Sequence, residues 1–108
     1  MKRVLVDTNL ILRYLLDGDE LLPGLSQDNL IWFPNVVIFE TVYTLLSTYK
    51  LNRLQVFDLV TKLMMRPNVE CERNLLFNSL AIFRDNPKLS LVDCFLANLF
   101  YLLLLFLL

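Results

Sequence analysis

Three short apolar runs, each cut off by a polar or turn residue and separated from the next by helical stretches, constrain this chain more than any other feature. Val4 to Val6 is β-branched and apolar, and it stops at Asp7. Leu30 to Phe33, "LIWF", stops at Pro34 and Asn35, and Val69 to Cys71 is a shorter third run. Continuous apolar runs of this length read as strands buried on both faces. Between them lie patterns of helical period: Thr8 to about Leu16, closed by Asp17, Gly18 and Asp19; Val36 to Tyr49; and Arg53 to about Met65, opened by Asn52 and ended by Arg66-Pro67-Asn68. Glu72 to Phe83 follows, broken by Asp85-Asn86-Pro87, and a last helix starts at Ser90. Strands alternating with helices predict an α/β domain with a parallel sheet. Glu20 to Asn29, "ELLPGLSQDN", reads as loop or short irregular helix around Pro23 and Gly24.

At 108 residues the chain fits one domain with one core. Its hydrophobic share of 56% is high for a water-soluble domain, and the excess sits at the C-terminus. From Leu99 onward, only the Tyr101 hydroxyl is polar. A helix there is apolar on every side and wants burial all round. It falls short of the ~20 residues that span a bilayer, and no basic residues flank its end. We therefore divide the chain into a domain over residues 1–98 and an apolar helical tail over 99–108. Deep packing, a partner's groove, a membrane surface or an altered terminus are all open as the tail's role.

The formal net charge of −1 supplies no global field for nucleic acid, so phosphate binding must come from local basic groups or from cations. There is no histidine, which excludes imidazole acid/base catalysis and histidine-based zinc sites. Cys71 and Cys94 are far apart and form no CxxC, so they read as reduced, mostly buried thiols of a cytoplasmic protein. Met1-Lys2-Arg3 resembles the start of a signal peptide, but Asp7, Asn9 and Arg13 interrupt the apolar region that should follow, and no export is expected.

Three acids stand where an apolar segment meets an interruption. Asp7 ends the first strand, Glu40 lies about one turn into the helix after the second, and Asp93 lies in the first turn of the last helix. Ligands of parallel α/β sheets sit beyond the carboxyl ends of the strands, so all three acids can face one crevice. Three hard oxygen donors without histidine suit Mg²⁺ or Mn²⁺. Each acid also has a plainer reading: Asp7 as an N-cap, Glu40 as a solvated side chain at the margin of the polar arc Thr41, Thr44, Ser47 and Thr48, and Asp93 as the partner of Ser90 in a capping box.

The segments "VLVDTNLILRYLL", "FPNVVIFETVYTL" and "LSLVDCFLANL" resemble the three motif regions of the PIN domain, in particular the short VapC-type toxin proteins. The resemblance covers residues 2 to about 98. It implies a three-layer sandwich, a sheet flanked by helices, and a Mg²⁺- or Mn²⁺-dependent endoribonuclease that hydrolyses RNA. It also implies homodimerisation and a cognate antitoxin. By position, Asp7, Glu40 and Asp93 match the family's acidic metal ligands, and Thr8 and Asn9 the polar residues after its first aspartate. Arg13, Lys50 and Arg53 are candidates for contacting phosphate, with solvated surface as the plainer role. The chain departs from the pattern where the family places a further strand beside the first, with another polar residue near the metal; the leucine and phenylalanine tail stands there instead. The alternative expectation is a PIN-like binding module of weak or absent activity, with a tail that seeks a partner or a membrane.

Overall fold

The computed structural model describes residues 3–18 and 29–108; most of the expected loop at Glu20 to Asn29 lies outside them. Its elements are β1 (Arg3–Leu5), α1 (Thr8–Asp17), β2 (Leu30–Trp32), α2 (Asn35–Ser47), α3 (Arg53–Met64), β3 (Val69–Glu70), α4 (Arg73–Asp85) and α5 (Leu91–Leu107). The strands form one parallel sheet in the order β1-β2-β3, with Arg3 opposite Leu30 and Ile31 opposite Val69. An α/β fold with a small parallel sheet is thus observed. Among the described residues β1 is an edge strand, and α5 runs unbroken through residue 98, where the sequence division was expected.

Local chemistry sets most element boundaries. Asn52 and Gln55 form a capping box at the start of α3, the Gln55 N–H donating to Asn52 Oδ1 at 2.8 Å and the Asn52 N–H to Gln55 Oε1 at 2.9 Å. Gly18 closes α1 in the left-handed region at φ 74, where a side chain would be strained, and its N–H donates to Tyr14 O. Lys50, at φ 56, turns the chain out after α2, and the Leu51 N–H returns to Leu45 O at 3.1 Å. The first strand starts one residue earlier than its apolar run because Arg3 pairs with Leu30 and also reaches Glu70 across the sheet.

The core is continuous from the sheet into the helices. Val6, Ile11, Ile31, Phe33, Ile38, Leu45, Val56, Leu76, Leu80 and Phe83 are all essentially inaccessible. Strand alternation sends Ile31 and Val69 into it, with Val4 half-buried beside them. The opposite face carries Arg3, Leu5, Leu30, Trp32 and Glu70, all at least partly exposed. There Arg3 bonds Glu70 at 2.7 Å and lies 4.4 Å from the centre of the Trp32 ring. Among the described residues, this face of the strands carries no fully buried apolar side chain.

The polar arc expected on α2 is only partly solvated. Thr41 is fully buried, its hydroxyl donating to Val37 O at 2.8 Å, so the helix backbone itself satisfies the hydroxyl and permits burial.

Candidate functional site

Asp7 follows β1 and occupies the N-cap of α1 with extended backbone (φ −68, ψ 146). Its carbonyl accepts from the N–H groups of Leu10 and Ile11, but its carboxylate makes no capping bond and faces solvent. The N-cap reading is therefore correct for the backbone and not for the side chain. Thr8 turns inward and is buried, whereas Asn9 is exposed. Glu40 lies on the exposed side of α2. Asp93 completes the capping box of α5: its N–H donates to Ser90 Oγ at 3.1 Å, and the Ser90 N–H donates to Asp93 Oδ2 at 3.4 Å.

Packing draws the supporting helices together. α1 lies against α2, and α2 against α5, where Phe39 and Phe95 meet edge to face with centroids 5.1 Å apart. Those rings stand one residue before Glu40 and two after Asp93. The acids are nevertheless not gathered: among the described residues, no group of three or more Asp, Glu or Cys side chains is arranged to hold one metal ion. The donor type suits Mg²⁺ or Mn²⁺, but the placement does not. Bringing three carboxylates together costs mutual repulsion, and the ion pairs found among the described residues, Arg3 with Glu70 and Arg84 with Asp85, leave these three acids without a cation to offset it.

Two clefts lie near the expected site, and neither contains Asp7, Glu40 or Asp93. One, of about 340 Å³, is lined by Asn9, Arg13, Asp17 and Tyr49 with Leu12 and Leu16. The other, of about 460 Å³, lies off the carboxyl ends of β2 and β3 and includes Arg3, Trp32, Asn35, Glu70 and Glu72. Asn35 Oδ1 is buried and, among the described residues, accepts no hydrogen bond. Sequence reading missed this second cleft; Trp32 inside an apolar strand run was the signal that pointed to it.

Two arginines act in the fold rather than in ligand binding. Arg53 Nη1 donates to the carbonyls of Phe83, Asn86 and Leu89 at 2.8, 3.1 and 2.7 Å, and its guanidinium lies 4.2 Å from the Phe83 ring centre. It closes the α4–α5 connection and is engaged there, not held out toward phosphate as the sequence allowed. Arg73 donates from Nε to Met64 O and from Nη2 to the carbonyls of Arg66 and Val69, tying α4 to the end of α3 and to β3. Arg13 and Lys50 remain exposed.

Both cysteines are free thiols, Cys94 buried and Cys71 half-buried. Burial pushes each thiol above its ordinary value, outweighing the nearby Arg73 at Cys71 and Arg53 at Cys94. Neither is poised as a nucleophile.

No protein-family model, curated protein or solved structure matches this chain.

Proposed function

We propose that the chain is a PIN-like module of the VapC toxin kind that engages RNA without a preassembled metal centre, so that Mg²⁺- or Mn²⁺-dependent hydrolysis is weak or absent. The resemblance of its three motif regions supports the class, as does a parallel sheet with Asp7 at the end of its first strand. One observation carries the reduced activity: Asp93 is held in the Ser90 capping box, and no three acids share a site among the described residues. The cleft lined by Asn9, Arg13 and Tyr49 suits single-stranded RNA in its chemistry, with Arg13 for a phosphate and the half-exposed Tyr49 ring for a base. A cognate antitoxin is the protein partner this class implies, and two free thiols agree with a cytoplasmic setting. Among the described residues no helix is long and apolar enough to cross a membrane.

A second reading, a fully active endoribonuclease toxin, is favoured by the packing of α1 on α2 and of α2 on α5, where Phe39 and Phe95, neighbours in sequence of Glu40 and Asp93, meet edge to face. On that reading Asp7, Glu40 and Asp93 would hold the ion, which would supply an activated water and neutralise the scissile phosphate.

One experiment separates the two. Labelled RNA is incubated with wild-type protein, Asp7→Asn and Arg13→Ala, each with Mn²⁺ or Mg²⁺. The binding reading expects RNA affinity reduced in Arg13→Ala and no cleavage that depends on Asp7. Metal-dependent cleavage abolished by Asp7→Asn establishes the enzyme instead, and absence of RNA binding in all three proteins defeats both.

A further inference from the structure

We propose that the cleft at the carboxyl ends of β2 and β3 is a site for a guanine base, sharing no lining residue with the Arg13 cleft. In parallel α/β sheets ligands sit beyond the carboxyl ends of the strands, and a volume of about 460 Å³ falls within the range of small-ligand sites. One wall is in place before any ligand arrives. The Arg3 guanidinium lies 4.4 Å from the centre of the Trp32 ring and is fixed there by Glu70 at 2.7 Å, with 54% of its side chain still exposed. Nucleic-acid bases stack on aromatic rings and on guanidinium planes alike.

The remaining polar groups of the lining are acceptors. Glu72 is exposed, makes no capping bond at the start of α4, and stands outside both ion pairs found among the described residues. Glu70 uses only Oε1 on Arg3. Asn35 Oδ1, at the first position of α2, is buried without a donor among the described residues, a cost that an N–H brought to it removes. The guest must therefore donate. Charge narrows it further, because Arg3 repels a cation and the unpaired Glu72 repels an anion, so the group that meets this wall is neutral. A nucleobase is flat, neutral and edged with donors. Guanine alone among the four RNA bases carries two adjacent donors, N1–H and N2–H, with no acceptor between them, and that pair matches a carboxylate bidentately. Adenine and cytosine place an acceptor beside the amino group, and uracil flanks its single N–H with carbonyls. Glu72 takes the guanine edge while the ring lies on Arg3. Two sources supply such a base, a free guanine nucleoside or an unpaired guanine of an RNA strand; the second rests on the RNA reading above and the first does not.

Trp32 is the one tryptophan of the chain, so its fluorescence reports on this cleft. The full chain and its Glu72→Gln variant, whose folding is checked by circular dichroism, are titrated with guanosine, inosine, adenosine, cytidine and uridine. The expected result is saturable quenching by guanosine, with binding about tenfold or more weaker for inosine, which lacks the N2 amino group, and for the other three nucleosides. Glu72→Gln should weaken guanosine by about tenfold or more and bring it level with inosine. A short single-stranded RNA with one guanine, beside its inosine-substituted copy, then assigns the source: binding tighter than guanosine and lost with inosine identifies the strand, whereas quenching by guanosine and none by the RNA identifies the free nucleoside. Arg13→Ala should leave guanosine quenching unchanged, so failure of the RNA reading and failure of this site are seen separately. No saturable quenching by guanosine, equal quenching by all five nucleosides, or an unchanged guanosine affinity in folded Glu72→Gln would each overturn the proposal.

Discussion

Arg53 and Arg73 each reach three backbone carbonyls, whereas Asp7, Glu40 and Asp93 are exposed, and among the described residues only the Asp93 carboxylate accepts a hydrogen bond, at its own helix start. Both sets are charged residues near element ends, and from the sequence the three acids and Arg53 were open to a role in binding. The arginines differ because each ties together separate elements by bonding carbonyls at helix ends and connections, Arg53 across 30 to 36 residues and Arg73 across four to nine. The difference teaches that a charge at an element boundary serves first whichever orphaned backbone group lies within its reach. A long guanidinium with five donors finds such groups more readily than a short carboxylate does.

This contrast can be broken by substitution. The largest effect is expected for Arg53→Ala, which removes a charged donor from three carbonyls and a cation from the Phe83 ring; urea denaturation should show a loss of about 2–3 kcal/mol, less than the sum of the separate bonds because they share one group and are partly exposed. Arg53→Lys should recover only part, since an ammonium cannot reproduce the planar fork. Arg73→Ala should cost about 2 kcal/mol for the same reason. Loss of either arginine without loss of stability would abolish the distinction.

A smaller effect sharpens it. Ser90→Ala removes the cap of α5 and should cost about 1 kcal/mol by the same measurement. Asp7→Asn and Glu40→Gln should stay within about 0.5 kcal/mol, as exposed side chains without partners do. The smallest effect concerns Asp85, whose carboxyl the Arg84 hydrogen bond holds below the ordinary range. A carboxyl lowered in the folded state adds stability that is fully present above its unfolded value and is lost as pH falls through the folded one. The Asp85 side chain is largely exposed, so solvent screens the pair and Arg84→Ala should alter the acid limb of the denaturation curve only slightly.

Much of this fold was legible because its signals are local. The capping boxes at Asn52 and Ser90, the stop at Gly18 and the apolar runs at Val4, Leu30 and Val69 act over four or five residues, and the helices and strands appear within one or two residues of their expected ends. Thr41 was misread because helical position says nothing about whether a hydroxyl can bond its own backbone and be buried. The role of Arg53 was beyond sequence reasoning, because its acceptors lie 30 to 36 residues away; that of Arg73, whose acceptors lie within nine residues, depends on how α3, β3 and α4 pack. The acids were found by type and position; whether three such groups meet depends on side-chain direction after packing, which no spacing encodes. The apolar tail was recognised as needing cover; in the structure Leu91, Cys94 and Phe95 bury the start of its helix, while every residue from Phe100 to Leu108 is exposed.

The central claim is that Asp7, Glu40 and Asp93 do not form a ready-made ligand set, and Mn²⁺ titration followed by the electron paramagnetic resonance of the free ion tests it most directly. The account predicts only binding weaker than about 1 mM, unchanged in Asp7→Asn and Asp93→Asn. One Mn²⁺ per chain held in the micromolar range, and lost in both variants, would contradict it.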